Sequence, residues 1–335
     1  HVAAWEQFPL PFNAEPRATV AGAPPGLTLD QNESRVSIES DDVRFTFDKR
    51  HGELASIVAD ERELLLFGPR LNLWRAPTDN DSRGSRIEAA NCTARLWYEA
   101  GLNEVSIHTE SVTVLQHKDG TVSVDIVQRG DTGQVKDALQ FHHRYTVADE
   151  RTTVVENRVR LSSELPELPR IGVVLGLRPG YEDVIWYGRG PHENYPDRKA
   201  GTPIGRYTST VTEQYVPYIL PQECGAKTDV RWMALAGDEN PGLLFSFPTP
   251  LVTTALHHTA EDLERARHTN ELNPRPETLV YLDCAQRGLG GASCGPDTLP
   301  QHRVQPGAYG FTYVIRTFNP GGDDPAALAS EDRLA

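Results

Sequence analysis

Short runs of alternating apolar and polar residues, separated by turn-forming residues, limit what this chain can fold into more than any other feature. They begin after Arg35 with VSIES and VRFTFD and recur through most of the chain. Alternation with a period of two puts every second side chain on one face of a strand, whereas a helix requires a period near 3.6. The pattern therefore predicts an antiparallel β-domain with little helix.

The strongest hairpin signal is Asp119-Gly120, which lies between two alternating runs in VTVLQHKDGTVSVDIV. Asp-Gly readily adopts the positive φ angles that a tight hairpin turn needs. The runs LQFHHRYTV and TTVVENRVRL flank ADER in the same manner. So many strands exceed an immunoglobulin-sized sandwich and predict two large packed sheets. Brief helices are expected only at 261–267 and near 87–94.

Composition limits the classes of binding partner and the cellular compartment that we expect for this protein. The chain has a formal net charge of −14, and its basic residues are dispersed with no run longer than two, which argues against binding to nucleic acid or to an anionic membrane. No apolar stretch approaches the roughly 20 residues that span a bilayer. Widely spaced cysteines without a CxxC pair indicate reduced thiols and predict a cytoplasmic protein. The cysteines are Cys92, Cys224, Cys284 and Cys294.

Four segments are predicted along the chain. The opening HVAAWEQFPL ends like a strand without its partners, so residues 1–12 are interpreted as the last strand of a preceding domain in a longer polypeptide. Residues 13–30 are rich in proline and glycine, which favours an extended linker. Residues 31–318 form the predicted β-domain. Residues 319–335 are polar and acidic, and we expect them to be disordered.

Four blocks of mixed glycine, proline, aromatic and charged residues cannot form regular helices or core strands. They are LNLWRAPTDND at 71–81, WYGRGPHENYPDR at 186–198, PYILPQECG at 217–225 and GLGGASCGPDTL at 288–299. In order and spacing they resemble the carboxy-terminal small-chain domain of the family 2 β-galactosidases. The resemblance implies an all-β antiparallel supersandwich similar to galactose mutarotase, preceded by the last strand of an immunoglobulin-like domain and a linker.

The resemblance also implies an activity, the hydrolysis of terminal non-reducing β-D-galactosides such as lactose with retention. Retention requires two carboxyl groups about 5 Å apart. In the family both glutamates, with the Mg²⁺ and Na⁺ sites, lie in a (β/α)₈ barrel that precedes this region, so no catalytic residue, metal ligand or cofactor is assigned within this chain. The expected partners are the β-galactoside, the amino-terminal domains of the same enzyme and further copies in a homo-oligomer.

The loop GLGGASCGP is the strongest local candidate for substrate contact. In the family the equivalent loop reaches over the barrel mouth, and well-studied members place a tryptophan after the serine, where this chain has Cys294. A thiol offers no aromatic stacking face, so the resemblance implies a roomier acceptor subsite formed by Gly291, Ser293 and Cys294. From the residues alone, a tight turn with a passive thiol is the alternative.

A mobile loop beside the active site is implied after the first motif, with Gly84 as its hinge. The residues assigned to it are Asp81, Ser82, Arg83, Gly84 and Ser85. Asp79 and Asp81 are spaced to face one ion, but acidic pairs in turns more often accept hydrogen bonds from backbone amides.

The other motif residues are interpreted as structural, because arginines and carboxylates in a short turn most often brace one another. A sugar-binding patch is the alternative for the second motif. These residues are Arg75, Asp79, Arg189, His192, Glu193, Tyr195, Asp197, Arg198 and Glu223. Two other functions stay open for the chain: a non-catalytic carbohydrate-binding or assembly module, and a mutarotase-like sugar epimerase.

Overall fold

Strands dominate a computed structural model of the protein, which describes residues 6–8, 10, 26–82, 92–237 and 240–332. The strands are β1 (Thr28–Gln31), β2 (Arg35–Glu39), β3 (Val43–Asp48), β4 (Glu53–Ala59), β5 (Arg62–Glu63), β6 (Leu65–Asn72), β7 (Ser106–Gln116), β8 (Val122–Asp131), β9 (Leu139–Val147), β10 (Thr152–Leu161), β11 (Arg170–Leu177), β12 (Asp183–Arg189), β13 (Ile204–Thr210), β14 (Lys227–Ala236), β15 (Gly242–Leu256), β16 (Thr278–Gln286) and β17 (Ala308–Phe318).

Helices in the described part of the chain are short. They are α1 (Asp79–Ser82), α2 (Thr93–Glu99), α3 (Val211–Gln214), α4 (Ala260–Arg265) and α5 (Pro325–Glu331), with 3₁₀ turns at Thr269–Glu271 and Pro300–His302. The helix expected at 261–267 is confirmed by α4. The helix expected near 87–94 is present only from Thr93 onward as α2, and 83–91 lie outside the described residues. None of the described helices is long and apolar enough to cross a membrane.

The strands pair in two antiparallel sheets. One has five strands in the order β1-β2-β3-β4-β5, and the other has twelve, with the path β13-β12-β14-β15-β17-β10-β9-β8-β7. In the larger sheet β11 pairs with β16 and β6, and β16 also pairs with β15. This arrangement confirms the predicted antiparallel all-β supersandwich. The Asp119-Gly120 hairpin is also confirmed, because Gln116 pairs with Val122 across the turn and Gly120 has a φ of 89°.

The core lies where the two sheets meet. Phe47 of β3 and Tyr145 of β9 are buried, and their rings meet edge to face with centroids 5.1 Å apart. Gln128 of β8 donates a hydrogen bond to the carbonyl of His51 at 2.9 Å, in the turn between β3 and β4. Each fully buried large apolar side chain contributes about 1.5–3 kcal/mol. The alternating pattern therefore decides which face of every strand packs inward.

The end of the chain differs from the disordered tail expected from its composition. Asp324 caps α5 by accepting a hydrogen bond from the Ala326 N–H at 3.2 Å, and Pro325 opens the helix. Ala326 and Leu328 pack on the apolar group that includes Trp232. The expectation was wrong for 319–332 because a polar composition concealed a capped helix with one apolar face.

The beginning of the chain lies mostly outside the described residues. Residues 1–5, 9 and 11–25, which hold most of the predicted last strand and linker, are not described. Gln7 exchanges two hydrogen bonds with the backbone of Ile204, at 2.6 and 2.8 Å. Strand β1 begins at Thr28, inside the stretch predicted to be linker.

Candidate functional site

The first motif turns back on itself around a buried ion pair. Arg75 and Asp81 are both buried, and the guanidinium donates to the carboxylate through Nη2 at 2.8 Å and Nε at 3.2 Å. The same carboxylate accepts from the Thr78 N–H at 2.9 Å, and Arg75 Nη1 donates to the Arg287 carbonyl at 2.6 Å. A buried bidentate pair with additional partners fixes one arrangement of the turn. Asp81 is therefore a structural acceptor.

Asn80, in the same turn, ties the first motif to the glycine-rich loop. Its Nδ2 donates to the Gly290 carbonyl at 2.9 Å, and its Oδ1 accepts from the N–H and the hydroxyl of Ser293 at 3.1 and 2.8 Å. The backbone N–H of Asp79 donates to Gln222 Oε1 at 2.9 Å, which links the first motif to the third. Sequence reasoning did not single out Asn80, although it lies inside the recognised block.

The second motif reaches the same loop through Asp197. Its carboxylate accepts hydrogen bonds from the N–H groups of Leu289 at 2.9 Å and Gly290 at 2.7 Å. A Cβ added at Gly288 would lie 2.6 Å from the carboxyl carbon of Asp197, and Gly290 has a φ of +64°. Glycine at 288 therefore permits the close approach of the carboxylate to the backbone, and glycine at 290 permits the left-handed backbone conformation of the turn.

Glu193 joins the second motif to the third. Its carboxylate accepts hydrogen bonds from Arg198 and from the Tyr218 hydroxyl, and also from the Gly225 N–H at 2.9 Å. The Arg198 guanidinium lies over the Tyr195 ring, 5.4 Å from its centroid. Burial raises the pKa of the Tyr195 hydroxyl well above its ordinary value, so the phenol stays neutral. The turn is thus an internally braced unit.

Two further residues of the second motif lie apart from this bracing. Arg189 donates to Asp229 at 2.5 Å, and Lys199 donates to the same carboxylate at 3.0 Å. Although burial raises the pKa of Asp229, hydrogen bonds from these two cations lower it below its ordinary value. His192 is exposed to solvent. The structure therefore does not gather the whole motif into one sugar-binding patch.

A buried charge cluster lies under the third motif. The Glu223 carboxylate accepts from Arg170 at 3.3 Å and from Gln286 at 3.0 Å, and Arg170 Nη2 lies 2.8 Å from Asp283 Oδ2. Burial, reinforced by Glu223 and opposed by Arg170, raises the pKa of Asp283 to about 7. Sequence reasoning missed Arg170, Gln286 and Asp283, because strand residues carry no local motif. Their only signal is charge or polarity within an otherwise apolar run.

The glycine-rich loop presents its tip to solvent. The carbonyl of Gly291 accepts from the N–H groups of Cys294 at 3.2 Å and Gly295 at 2.7 Å, which closes a tight turn. The Cys294 side chain is exposed and its thiol is free, as are the other cysteine thiols. The N–H and the hydroxyl of Ser293 both donate to Asn80, whereas the free thiol of Cys294 is exposed to solvent.

The loop expected to be mobile is described only at its start. Arg83, Gly84 and Ser85 lie outside the described residues. Asp81 and Ser82 belong to α1 and are buried, and the Ser82 hydroxyl donates to the Thr78 carbonyl at 3.0 Å. These two residues are therefore anchored in the first motif.

The carboxylates of the assembled loops serve to hold the loops in place. Asp81, Asp197, Glu193 and Glu223 each accept hydrogen bonds from arginine or backbone donors, and these contacts hold the carboxylates in place as structural acceptors. Asp283 has a pKa near neutrality but is fully buried. Within the described ranges, no group of three His, Cys, Asp or Glu side chains is placed to hold a metal ion.

Comparison with known proteins places the chain in a family. The sequence model described as "Beta galactosidase small chain" matches residues 39–315. This chain belongs to the β-galactosidase small-chain family. The matched range contains all four motifs and every strand from β3 to β16. The resemblance inferred from the motifs is confirmed, and the linked loops are a feature of a small-chain domain.

Named relatives are much longer than this chain. A protein named "Beta-galactosidase" from Priestia megaterium is 34% identical over 289 residues, which cover 86% of this chain and 27% of that protein. "Beta-galactosidase 2" from Enterobacter cloacae is 31% identical over 321 residues, which cover 93% of this chain and 30% of that protein. The small-chain domain described above thus corresponds to less than a third of either relative.

Among solved structures, a GalM/aldose epimerase homologue from C. elegans aligns with 88% of this chain and 99% of its own, at 9% identity and a TM-score of 0.43. A putative aldose 1-epimerase from Escherichia coli aligns with 87% of this chain at 10% identity and a TM-score of 0.39. At these scores the alignments add nothing to the strand pairing already described.

Proposed function

We propose that this chain is the carboxy-terminal part of a cytoplasmic β-galactosidase that hydrolyses terminal non-reducing β-D-galactosides, such as lactose, with retention. The observation that carries the proposal is the convergence of three motifs on one loop: Asn80 and Asp197 hold 288–296, and Gln222 holds the turn that contains Asn80. A loop fixed from both sides, with an exposed tip, is suited to complete an active site formed elsewhere.

The catalytic carboxyl groups are assigned to another part of the enzyme. Retaining hydrolysis needs two of them about 5–5.5 Å apart, one as nucleophile and one able to exchange a proton. Four motif carboxylates of this chain are instead engaged by arginine or backbone donors: those of Asp81, Glu193, Asp197 and Glu223. We assign the two glutamates, with Mg²⁺ and Na⁺, to a (β/α)₈ barrel in the amino-terminal part of a homo-oligomeric enzyme.

The contribution of this chain to substrate binding is assigned to two loops. Gly291, Ser293 and Cys294 line the acceptor subsite, and the active-site loop assigned to 81–85 begins at the anchored residues Asp81 and Ser82. Because a thiol cannot stack on a sugar ring as an indole does, the acceptor is held weakly.

Complementation tests this proposal directly. The 335-residue chain is assayed with a chromogenic β-galactoside alone and after mixing with a barrel-containing amino-terminal portion of a relative such as the P. megaterium protein, which has 34% identity to this chain. We expect activity only in the mixture. Hydrolysis by the chain alone would locate the catalytic pair in this domain, and an inactive mixture of two associated portions would refute the role in completing the site.

The acceptor subsite has its own test in the complemented enzyme. Cys294→Trp is expected to tighten binding of glucose as acceptor and to raise the ratio of transgalactosylation to hydrolysis severalfold, because the indole supplies a stacking face. Cys294→Ser, which adds no such face, is the matched control. Product ratios measured over a range of glucose concentrations that are the same in both variants would contradict the assignment.

A further inference from the structure

A groove crosses one outward face of the twelve-stranded sheet. It has a volume of about 520 Å³ and is lined by side chains of β8, β9, β10 and β17. None of its lining residues belongs to the four motifs. Pockets that bind small molecules have volumes of about 300–1,000 Å³. The groove therefore has the size of a ligand site that the proposed function does not use.

Strand register gives the groove its walls and its floor. Arg158 on β10 pairs with His142 on β9 and with Gly310 on β17. Arg160, two residues further along the same face, pairs with Ala308 on β17. The residues opposite the two arginines on β17 thus have little or no side chain. The space in front of both guanidinium groups is created by this pairing of large with small residues.

The charges of the two arginines have no partner among the residues that the structure describes. Both are exposed, and neither side chain forms a hydrogen bond or ion pair with any residue that the structure describes. Glu156 lies on the same face and lines a small adjoining cavity with Arg158, without forming an ion pair with it. Together with Asp125 and Arg144 on the same face, this end of the groove has two carboxylates and three guanidinium groups, on a chain whose net charge is −14.

The neighbouring polar groups are already fixed. Asp125 accepts hydrogen bonds from Arg144 at 2.8 Å and from His142 at 3.1 Å. Asp125 therefore holds the His142 ring in place at the edge of the groove. Gln140, which pairs with Arg160, adds an amide to the same wall. The groove thus combines two guanidinium groups that have no partner among the described residues with a fixed imidazole, an amide and an apolar floor.

We propose that this groove binds a hexose-sized sugar bearing a phosphate or a carboxylate. Arg158 and Arg160 hold the anionic group, because guanidinium groups bind such oxygens in a bidentate manner. His142 and Gln140 hydrogen-bond to hydroxyl groups, and the sugar body lies over Gly310. This site is independent of the proposed hydrolysis.

Isothermal titration of the full 335-residue chain at low salt tests the site with four probes: galactose 6-phosphate, galacturonate, galactose and inorganic phosphate. At least one of the two charged sugars is expected to bind at least about tenfold more tightly than galactose and than inorganic phosphate, and the tighter one identifies the anionic group. Binding of none of the probes at millimolar concentration, or equal affinity for all of them, would overturn the proposal.

Variants distinguish binding of the charged sugar in this groove from nonspecific attraction of an anion to positive charges on the surface. Arg158→Gln with Arg160→Gln is expected to weaken binding of the charged sugar by at least about tenfold. Gly310→Val should do the same by filling the groove, and the strand tolerates it because a Cβ at this position meets only the Asn157 carbonyl, at 3.7 Å.

The matched control for charge is Lys118→Gln with Arg267→Gln, which removes two exposed positive charges from residues that do not line the groove. Its affinity is expected to equal that of the unmodified chain. Equal losses in the control and in the double arginine variant, or full affinity in Gly310→Val, would show that the groove does not hold the ligand. Circular dichroism verifies that each variant is folded.

Discussion

At the scale of single residues, Asp283 makes the stability of the domain depend on pH. Burial raises its pKa to about 7, from an ordinary value of 3.8. Between these two values the folded chain keeps a proton that the unfolded chain has released. The free energy of unfolding therefore falls as the pH rises through this window, by an amount on the order of 4 kcal/mol.

Asp283→Asn is expected to remove most of this dependence, because an amide resembles the protonated carboxyl group and does not titrate. Urea unfolding at pH 5, 6.5 and 8 measures the effect. Asp119→Asn, a change in the exposed β7–β8 turn, is the matched control and should keep the original slope. The assignment fails if Asp283→Asn loses as much stability between pH 5 and pH 8 as the unmodified chain does.

At the scale of elements, the glycine-rich loop depends on a contact with a distant part of the sequence. Asp197 accepts the N–H groups of Leu289 and Gly290, about ninety residues away. Asp197→Ala is expected to raise hydrogen exchange across 286–298 about tenfold while the urea midpoint of the domain changes little, because the lost bonds are local and exposed.

Asp119→Ala is the control for this loop, since Asp119 also accepts a backbone N–H, from Thr121 at 3.1 Å. Hydrogen exchange should then rise in the β7–β8 turn and stay unchanged across 286–298. If Asp197→Ala leaves the exchange of 286–298 at its original rate, the carboxylate does not hold the loop.

Local patterns explain which elements were predictable. The β7–β8 hairpin was predicted because Asp119-Gly120 and the alternating runs act over a few residues. Helix α5 was missed because its stability depends on packing against Trp232 and on hydrogen bonds of Asp332 with Ser246 and Arg316, at 2.9 Å each.

The candidate site also has a part that was predictable from local patterns and a part that was not. Its loops were visible as dense mixtures of glycine, proline and charge, which mark turns. The Arg170–Asp283 pair beneath them was not visible, because 113 residues separate its members and neither belongs to a motif. Tertiary pairing of strands β11 and β16, which no local window contains, brings the two charges together.

At the scale of the whole molecule, the family assignment raises the question of what covers the face that carries the linked loops. Ile219, in the third motif, is 91% exposed and follows Tyr218, whose hydroxyl binds Glu193. Leu299, at the end of the fourth motif, is 57% exposed. Under the proposed function, we expect these exposed apolar side chains to lie on a surface that contacts another part of the enzyme.

Under the proposed function that contact is with the amino-terminal portion, and Ile219→Lys should disrupt it. The substitution is expected to leave the urea midpoint of the chain unchanged, because a side chain that is 91% exposed loses little packing. It should raise at least tenfold the concentration of chain that restores half of the β-galactosidase activity in the mixture, because a lysine must be desolvated at the interface.

Leu115→Lys, at a 49% exposed position on edge strand β7, introduces the same charge away from the motifs and should complement normally. Equal complementation by both variants would place the contact surface elsewhere on the domain, while a mixture that is inactive even with the unmodified chain would count against the proposed function itself.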